Sequence, residues 1–337
     1  MPAEWEPHAA CWLAWPCGES LWGAALEPVR ASFIALCRSI AGVDVAGAAA
    51  AGEELLVLVP DASEEAEARA ALASLPVRFH RTAYGDIWVR DTAPVFTVGT
   101  DGSLATVRFA FNGWGGKYVF AHDLDLAARI AALAGVRRFA FPWILEGGSI
   151  EVDGRGTCLT TRQCLLNPNR NPHLDTPAIE RGLRNALGVE RILWLDRGLA
   201  NDHTDGHIDT LARFVAPGMV VCMEPTTADD PNAEVLDTIA RDLATFSDAC
   251  GQRIQVVRIP SPGRVVEDGE VVPASYVNFY VGNRTVSVPT YGVVQDERAV
   301  DAIGACFPGR HAVGIPARAL VASGGGAFHC ITQQVPV

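Results

Sequence analysis

The chain has 337 residues, of which 49% are hydrophobic and 20% are charged, and this balance excludes an intrinsically disordered protein. The formal net charge is −12, from 27 basic and 39 acidic residues, which disfavours nucleic acid and anionic membrane surfaces as partners and suits a small cationic substrate. No run of about eighteen apolar residues occurs, and residues 1–8 lack the features of a secretory signal, so we expect a cytoplasmic protein without membrane contact.

Helices and strands alternate along the chain. Apolar residues at helical spacing predict helices over Leu26–Ile40, Ser63–Leu75, Asp123–Leu133, Thr176–Leu187, Ala233–Cys250 and Asp296–Cys306. Apolar and β-branched runs predict strands over Leu55–Val59, Val77–His80, Ala105–Phe111, Ser149–Val152, Arg191–Leu195, Ile254–Ile259, Ser275–Val281, Thr285–Val288 and His311–Ile315. We therefore expect an α/β protein.

The helices after the first recur about every 55–65 residues, and each brings several strands with it. This spacing indicates five α/β modules in a ring, although a doubly wound sheet would give a similar alternation. Residues Asp153–Gly156 separate two predicted strands and are typical of a hairpin turn. No linker divides the chain, so we expect one catalytic domain over residues 1–337.

Five polar, glycine-rich stretches follow or end predicted strands, where loops on a rigid scaffold often carry chemistry. In chain order they are Tyr84–Pro94, Phe111–Tyr118, Leu145–Ser149, Asp202–Asp209 and Gly324–Gln334. Together they supply a thiol, histidines and carboxylates. This set is sufficient for covalent catalysis on a cationic group.

Cys330 follows three consecutive glycines, Gly324–Gly326, and precedes Thr332 and two glutamines. Consecutive glycines suit a backbone that turns sharply or closely approaches another group. Although most of the nine irregularly spaced cysteines fit reduced, buried thiols in a cytosolic protein, this setting makes Cys330 a candidate nucleophile.

His207 is a candidate acid/base for such a thiol. On a strand, His207 and Asp209 would face the same side, so that imidazole and carboxylate would enter one pocket. The same cluster also fits a metal site, because His203 and His207 have the spacing of helical zinc ligands and Asp202, Asp205 and Asp209 offer oxygen atoms.

Asp91 and Glu146 are two further carboxylates beside polar or glycine-rich sequence. Both carboxylates would be functional if they bound the same group of a substrate. Carboxylates bind the planar guanidinium group in a bidentate way. An indole such as Trp88 or Trp114 would cover the face of that group or pack against an attached alkyl chain.

These stretches, in this order, resemble the agmatine deiminases of the guanidine-modifying (pentein) superfamily over nearly the whole chain. The resemblance implies the pentein fold, a five-module α/β propeller with pseudo-fivefold symmetry, and catalysis without a metal or cofactor. The motifs that carry it are Met1–Glu4, Trp88-x-Arg90-Asp91, Asn112–Gly116, Leu145–Ser149, Asn167–Pro172, Asp205–Asp209 and Gly324–Gln334.

The resemblance also implies roles for the candidate residues. Cys330 would be the nucleophile and His207 the acid/base, Asp91 and Asp209 would bind the guanidinium group, and Glu146 would be a further active-site carboxylate. The reaction implied is hydrolysis of agmatine to N-carbamoylputrescine and ammonia, through an S-alkylthiouronium on Cys330, in polyamine or agmatine metabolism.

Two other functions are also compatible with the sequence. Bacterial peptidylarginine deiminases resemble the chain in the same catalytic set, so a peptide-bound arginine is the second candidate substrate. A non-enzymatic binding protein built on the same modules is the third candidate, and the retained thiol, imidazole and carboxylates argue against it. The sequence leaves the oligomeric state open, a homo-oligomer included, and does not identify the partner of agmatine's far-end amine.

Overall fold

The computed structural model describes residues 1–43 and 52–337. Its strands are β1 (His8–Ala14), β2 (Glu54–Val59), β3 (Val77–Arg81), β4 (Val95–Val98), β5 (Leu104–Ala110), β6 (Arg137–Ile144), β7 (Glu151–Val152), β8 (Thr157–Thr161), β9 (Arg191–Leu195), β10 (Ala212–Ala216), β11 (Met219–Glu224), β12 (Gln255–Pro260), β13 (Val266–Glu267), β14 (Glu270–Val271), β15 (Tyr280–Val281), β16 (Thr285–Thr290), β17 (His311–Pro316) and β18 (Gln333–Pro336).

The helices alternate with these strands. They are α1 (Glu19–Trp22), α2 (Leu26–Ile40), α3 (Ala62–Ala71), α4 (Val89–Thr92), α5 (Gly113–Gly116), α6 (Leu126–Ala134), α7 (Arg162–Leu165), α8 (Thr176–Leu187), α9 (Ala233–Thr245), α10 (Asp296–Ala305) and α11 (Arg318–Gly324). Short 3-10 turns cover Gly23–Ala25, Asp123–Asp125, Gly147–Ser149 and Ile208–Thr210.

Strand pairing repeats one pattern five times within the described residues. A central strand pairs antiparallel with one neighbour and parallel with the other, and at least one helix lies between the two parallel strands in the chain. A parallel pair needs such a crossover, whereas an antiparallel pair needs only a short turn. The five sheets have the orders β18-β1-β2-β3, β4-β5-β6, β7-β8-β9, β10-β11-β12 and β15-β16-β17, and β13-β14 form a separate hairpin.

Helix α8 illustrates how the sequence forms these crossovers. The Asp175 side chain accepts a hydrogen bond from the backbone N–H of Ala178, which caps the helix start, and Gly188 ends the helix in a left-handed conformation at φ 70°. The apolar residues at helical spacing, including Ile179 and Leu183, are fully buried. One face of the helix therefore packs against its sheet while the other meets solvent.

Most predicted elements agree with the structure. Helices α2 and α8 and strand β9 have the predicted bounds, and Asp153–Gly156 connect the antiparallel strands β7 and β8 as a turn. The helix predicted to reach Cys250 ends five residues earlier, because Phe246 is extended and Ser247 forms a bridge with Arg253. The alternation is confirmed as a mixed α/β fold.

Two predicted strands are only two residues long in the structure. Only Glu151–Val152 and Tyr280–Val281 remain of the strands predicted from Ser149 and Ser275. Ser149 instead ends a 3-10 turn, where its hydroxyl bonds to the Glu146 carbonyl oxygen. Side-chain bonding of this kind competes with strand pairing.

Strands β1 and β18 join the two ends of the chain. They pair antiparallel, with Cys11 opposite Gln334 and Trp12 opposite Gln333. The segment before β18 carries Cys330, so this pairing fixes the thiol next to the N-terminal residues. Within the described ranges, no helix is both long enough and apolar enough to span a membrane.

Arg213 on β10 connects this N-terminal region to two other sheets. Its guanidinium lies 2.7 Å from Glu151 and 2.9 Å from Glu4, and it donates to the Phe279 carbonyl oxygen at 2.8 Å. All of these side chains are buried. Buried charges of this kind stabilise one another, since desolvation makes an ion unfavourable when it is buried without a partner.

Replacing Arg213 by methionine should lower the free energy of unfolding by about 3–5 kcal/mol, because Glu4 and Glu151 would lose a buried partner. Urea unfolding followed by circular dichroism measures this loss. The control is Arg258→Met, since Arg258 is 40% exposed where it pairs with Asp237 and Glu224. That change should lower the free energy of unfolding by less than about 1 kcal/mol. Equal losses in the two variants would contradict the structural role assigned to Arg213.

Candidate active site

The chemical groups of the site come from the connections between successive sheets. Asp91 lies between β3 and β4, Glu146 between β6 and β7, and His207 and Asp209 between β9 and β10. Cys330 lies between β17 and β18. The fold therefore brings together residues that are up to 239 positions apart, counting from Asp91 to Cys330.

Gly148 marks the point where three of these groups meet. A Cβ atom on Gly148 would lie 2.6 Å from His207 Nδ1, 2.9 Å from Asp91 Oδ1 and 3.0 Å from Asp209 Oδ2. Its backbone N–H donates to Asp91 Oδ1 at 2.8 Å. Glycine is the residue that fits here, because any side chain would enter the space between the imidazole and the two carboxylates.

His207 and Asp209 meet without lying on a strand. The prediction that they share one face of a strand is wrong, because Ile208–Thr210 form a 3-10 turn directly after His207. Both side chains are nevertheless completely buried. Their convergence follows from the turn and its packing and not from strand periodicity.

The Cys330 thiol is buried beside a carboxylate and an amide. Asn278 Nδ2 donates to Cys330 Sγ at 3.1 Å, and Sγ lies 3.5 Å from Asp209 Oδ2. Burial raises the pKa of the Cys330 thiol well above its ordinary value, and Asp209 and Asp91 raise it further. The ligand-free protein therefore holds a neutral thiol at neutral pH.

The three glycines before Cys330 pack where side chains do not fit. A Cβ atom on Gly324 would overlap the six-membered ring of Trp88, and one on Gly326 would lie 2.7 Å from Trp88 Cζ3 and 3.1 Å from Cys330 Sγ. Gly325 has the left-handed conformation at φ 78°. The close approach predicted from the triglycine is thus made to Trp88, whose ring lies against the thiol loop.

His207 carries a proton at neutral pH. Burial favours the neutral imidazole, but Asp91, whose Oδ2 lies 3.8 Å from His207 Nδ1, acts together with Cys164 and Glu146 to outweigh burial. The pKa of His207 is thereby raised to about 10. Neither ring nitrogen has a hydrogen-bond partner among the described residues. The imidazolium is therefore free to donate to a bound substrate.

The two aspartates next to His207 differ in their partners. Burial raises the pKa of Asp91, although Trp114 Nε1 donates to its Oδ2 at 2.8 Å. Burial also opposes ionisation of Asp209. His329, which lies 2.7 Å from its Oδ2, acts together with His207 and Arg213 to outweigh burial, so the pKa of Asp209 is lowered. Asp209 is thus the carboxylate held in its charged form before a substrate arrives.

His329, which sequence reasoning missed, connects this carboxylate to the N-terminus. Its Nε2 lies 2.8 Å from Glu4 Oε2, while its Nδ1 bonds to Asp209. Glu4 is also paired with Arg90 at 3.2 Å and with Arg213 at 2.9 Å. The position of His329 beside Cys330 in sequence was the available signal, but its neighbours come from distant parts of the chain.

Asn278 is a second residue that the sequence did not reveal. Its Oδ1 accepts from the backbone N–H of Ala327 at 3.1 Å and of Cys330 at 3.4 Å, and its backbone oxygen accepts from His329 N–H. It lies in the segment that was predicted as a strand from Ser275. That prediction fails because this stretch hydrogen-bonds to the thiol loop in place of a neighbouring strand.

Glu146 lies close to His207 and forms an ion pair with Arg170. Both of its carboxylate oxygens lie 2.9 Å from Arg170 Nε, and the side chains of Glu146 and Arg170 are fully buried. Arg170 also contacts Asp205 at 2.7 Å. A Glu146 oxygen lies within 4.8 Å of a His207 ring nitrogen, and Glu146 does not line the pocket beside the thiol.

A pocket with a volume of about 180 Å³ opens next to the thiol. Of the predicted site residues, Trp88, Trp114, Asp91 and Cys330 line it, whereas His207, Asp209 and Glu146 do not. Trp114 itself has a left-handed backbone at φ 51° between left-handed glycines, which accounts for the glycines of the Asn112–Gly116 motif. The other lining residues are Leu21, Asp86, Tyr118, Phe120, His203, Thr204, Ser323, Gly324, Gly325 and Gly326.

The metal site predicted from His203, His207 and Asp209 does not form among the described residues. The ligand atoms that come within 4.8 Å of one another are those of Glu146, Cys164 and His207. Arg170 already holds both oxygens of Glu146. His203 instead packs on Tyr118, with ring centroids 5.7 Å apart. Residues 202–206 do not form a helix, so the helical spacing that would bring His203 next to His207 is absent.

Comparison with known proteins matches the whole chain. The family model of the Porphyromonas-type peptidyl-arginine deiminases covers residues 1–336. An agmatine deiminase of Pseudomonas aeruginosa (strain LESB58) is 36% identical over 360 residues, which cover 100% of this chain and 95% of that protein.

Solved structures give the same result. The agmatine deiminase of Enterococcus faecalis superimposes with a TM-score of 0.91 at 32% identity, over 100% of this chain and 95% of that one. An amidinotransferase of Microseira wollei, from the saxitoxin biosynthetic pathway, gives a TM-score of 0.53 at 12% identity over 99% of this chain and 96% of that one. The second match shows a likeness of fold alone.

Gly148→Ala should reduce turnover by about 100-fold or more, because its methyl group would displace His207, Asp91 or Asp209 from their present positions. Steady-state kinetics measures the loss. The control is Gly314→Ala on β17, where a Cβ atom would lie 3.1 Å from two methyl groups away from the site. Full activity of Gly148→Ala at an unchanged melting temperature would show that this convergence is not the reacting centre.

Iodoacetamide should label Cys330 slowly in the ligand-free protein at pH 7, because the raised pKa keeps the thiol protonated. Below that pKa the thiolate fraction, and with it the labelling rate, should rise about tenfold per pH unit. Peptide mass spectrometry at several pH values measures the rate, with the exposed Cys250 as internal reference. Labelling of Cys330 at pH 7 that is faster than that of Cys250 would contradict a neutral thiol.

Proposed function

This chain belongs to the Porphyromonas-type peptidyl-arginine deiminase family, and we propose that it hydrolyses agmatine to N-carbamoylputrescine and ammonia. The observation that carries the proposal is the convergence of a buried thiol, a protonated imidazole and two aspartates, next to a pocket that Asp91 and Cys330 line. A guanidinium group is planar and cationic, and such a set of carboxylates binds it. The thiol beside them would attack its central carbon.

We also propose that the five repeated sheets close into an α/β propeller with pseudo-fivefold symmetry around this site. The common strand order of the sheets supports the proposal, as does the origin of the site residues in the connections between sheets. Because these connections extend from Asp91 to Cys330, the catalytic unit would be a single domain over residues 1–337.

In the first step, Asp91 and Asp209 bind the guanidinium group. Asp209 Oδ1 is buried and has no hydrogen-bond partner among the described residues, so it is available to a substrate N–H. Trp114 and Gly148 donate to Asp91 and fix its orientation. The bound cation also neutralises the negative charge that raises the pKa of the Cys330 thiol, so the thiol releases its proton to solvent and the thiolate forms in the complex. The thiolate takes a proton back from solvent when the product leaves.

The thiolate of Cys330 then adds to the central guanidinium carbon. A C–S bond forms, and the neutral tetrahedral intermediate loses an amino group as ammonia after His207 transfers its proton to that nitrogen. The products of this half-reaction are free ammonia, neutral His207 and a cationic S-alkylthiouronium on Cys330.

Water completes the reaction on the same carbon. Neutral His207 removes a proton from water, a C–O bond forms, and the C–S bond breaks to return the Cys330 thiolate. The carbonyl product loses its extra proton, which the released ammonia takes up in solution. The balance is one water consumed, with N-carbamoylputrescine and one ammonium ion formed. Every step uses groups of the chain itself, so we propose that neither a metal nor a cofactor takes part.

The lining of the pocket favours agmatine over arginine. Of the described residues that line it, none is a lysine or arginine that would pair with the α-carboxylate of free arginine. Burying that carboxylate without a partner would be costly. Peptidylarginine is the second candidate substrate, because the matching family model is named for it. The small volume of the pocket disfavours a peptide.

We propose a cytoplasmic location in line with the reduced thiols, and we expect no role for nucleic acid or membrane given the net charge of −12. No disulfide forms among the described cysteines, all of which are free. The sheets do not fix the oligomeric state, and a homo-oligomer is compatible with the proposal.

Ammonia release from agmatine should exceed that from free arginine and from an N-blocked arginine peptide by at least about tenfold at equal low concentrations. Cys330→Ser should remove the activity, because a hydroxyl is not ionised at neutral pH, whereas Cys250→Ser at the exposed cysteine should keep it. Greater activity on the peptide would transfer the assignment to peptidylarginine. Activity retained by Cys330→Ser would exclude the covalent mechanism.

A further inference from the structure

The pocket contains an aspartate to which the mechanism assigns no role. Asp86 lines the pocket together with Asp91 and Cys330 and is 6% exposed. Its Oδ1 accepts from the backbone N–H of Ile87 at 2.7 Å, and its Oδ2 accepts from Trp88 Nε1 at 2.7 Å. A carboxylate offers about four acceptor positions, so these two bonds leave capacity for a ligand.

Trp88 separates Asp86 from the thiol. The Cζ3 corner of the indole faces Gly326 and Cys330, its Cζ2 edge faces Gly324, and its Nε1 bonds to Asp86. The carboxylate therefore lies beyond one end of the ring and the thiol lies near the other. An extended butyl chain and the long axis of an indole have similar lengths, so a substrate lying along Trp88 would reach both groups.

The other carboxylates near the site already have basic side chains as partners. Asp91 faces His207, Asp209 bonds to His329, and Glu146 bonds to Arg170. Asp205 pairs with Lys117 and Arg170. In the described part of the chain, by contrast, Asp86 forms no ion pair with a lysine, arginine or histidine, and its hydrogen bonds are those from Ile87 and Trp88.

The surroundings of Asp86 make a cation favourable there. The pKa of Asp86 is raised to about 7, mainly by burial and also by the neighbouring Asp123, against the opposing effect of the bonds from Ile87 and Trp88. Asp123 is itself buried, and its Oδ2 has no hydrogen-bond partner among the described residues. A buried carboxylate in this setting is stabilised by a bound cation.

We propose that Asp86 binds the far-end ammonium group of the substrate and thereby sets the specificity for a dication with a butyl spacer. The inference rests on the proposed function, because it takes agmatine as the substrate. Asp86 would be a specificity-determining residue that contacts the end of the substrate opposite the reacting carbon. Trp88 would pack against the alkyl chain and would determine the distance between the sites for the guanidinium and ammonium groups.

The test compares agmatine with n-pentylguanidine, in which a methyl group replaces the ammonium. Asp86→Asn should lower kcat/KM for agmatine by about 10–100-fold, mainly through KM, because a charge-assisted hydrogen bond to the ammonium is lost. For n-pentylguanidine, kcat/KM should stay within about threefold. The wild-type preference for agmatine over n-pentylguanidine should therefore largely disappear in the variant.

Asp123→Asn provides the matched control. It removes a neighbouring buried carboxylate that does not line the pocket, so the preference for agmatine should persist. Equal losses on both substrates in Asp86→Asn would mean that Asp86 only orients Trp88 and the glycine loop, and would overturn the proposal. An unchanged preference in Asp86→Asn would overturn it as well.

The wild-type protein alone provides a second measurement that does not depend on a folded variant. It should turn over agmatine at least about tenfold more efficiently than n-pentylguanidine, and equal efficiencies would overturn the role of Asp86. The failure of the wider proposal gives a different result. If the wild-type protein released no ammonia from agmatine, the proposed function would fail, and the inference would fail with it.

Discussion

Buried charge that must be paired is the constraint on which this site depends. Glu4, close to the N-terminus, is the common partner of Arg90, Arg213 and His329. Its Oε1 also accepts from the backbone N–H of Val281 at 2.9 Å. Residues from several sheets thus meet at one carboxylate. Because each ion would be unstable if buried alone, the cluster holds together only when every connection is correctly placed.

The same constraint determines the protonation states at the reacting centre. His329 keeps Asp209 ionised, and Asp91 keeps His207 protonated. The negative charge that results suppresses ionisation of Cys330 until a cation enters. Activation of the nucleophile is therefore coupled to the charge of the substrate. This coupling also protects a buried thiol from reacting with neutral electrophiles in the empty site.

Glycine serves a different purpose at each end of the site. Gly148 leaves space between His207 and the two aspartates, whereas Gly324 and Gly326 let the thiol loop lie against the indole of Trp88. Because these positions have no side chain, the backbone can closely approach a reacting group or the wall of the substrate pocket. The loops can then be short and rigid, and the polar atoms of the site keep fixed positions.

The sequence by itself determined the α/β class, several element bounds, and the candidates Cys330, His207, Asp91 and Asp209, because apolar periodicity and reactive residue types are local properties of the chain. Only the tertiary structure decided which side chains form hydrogen bonds and ion pairs with one another, because these contacts depend on which distant loops meet. His329 and Asn278 had little sequence signal, and Glu146 proved to be bonded to Arg170 close to the imidazole. The strand expected for His207 and Asp209 became a 3-10 turn, since packing around Gly148 outweighed the local pattern.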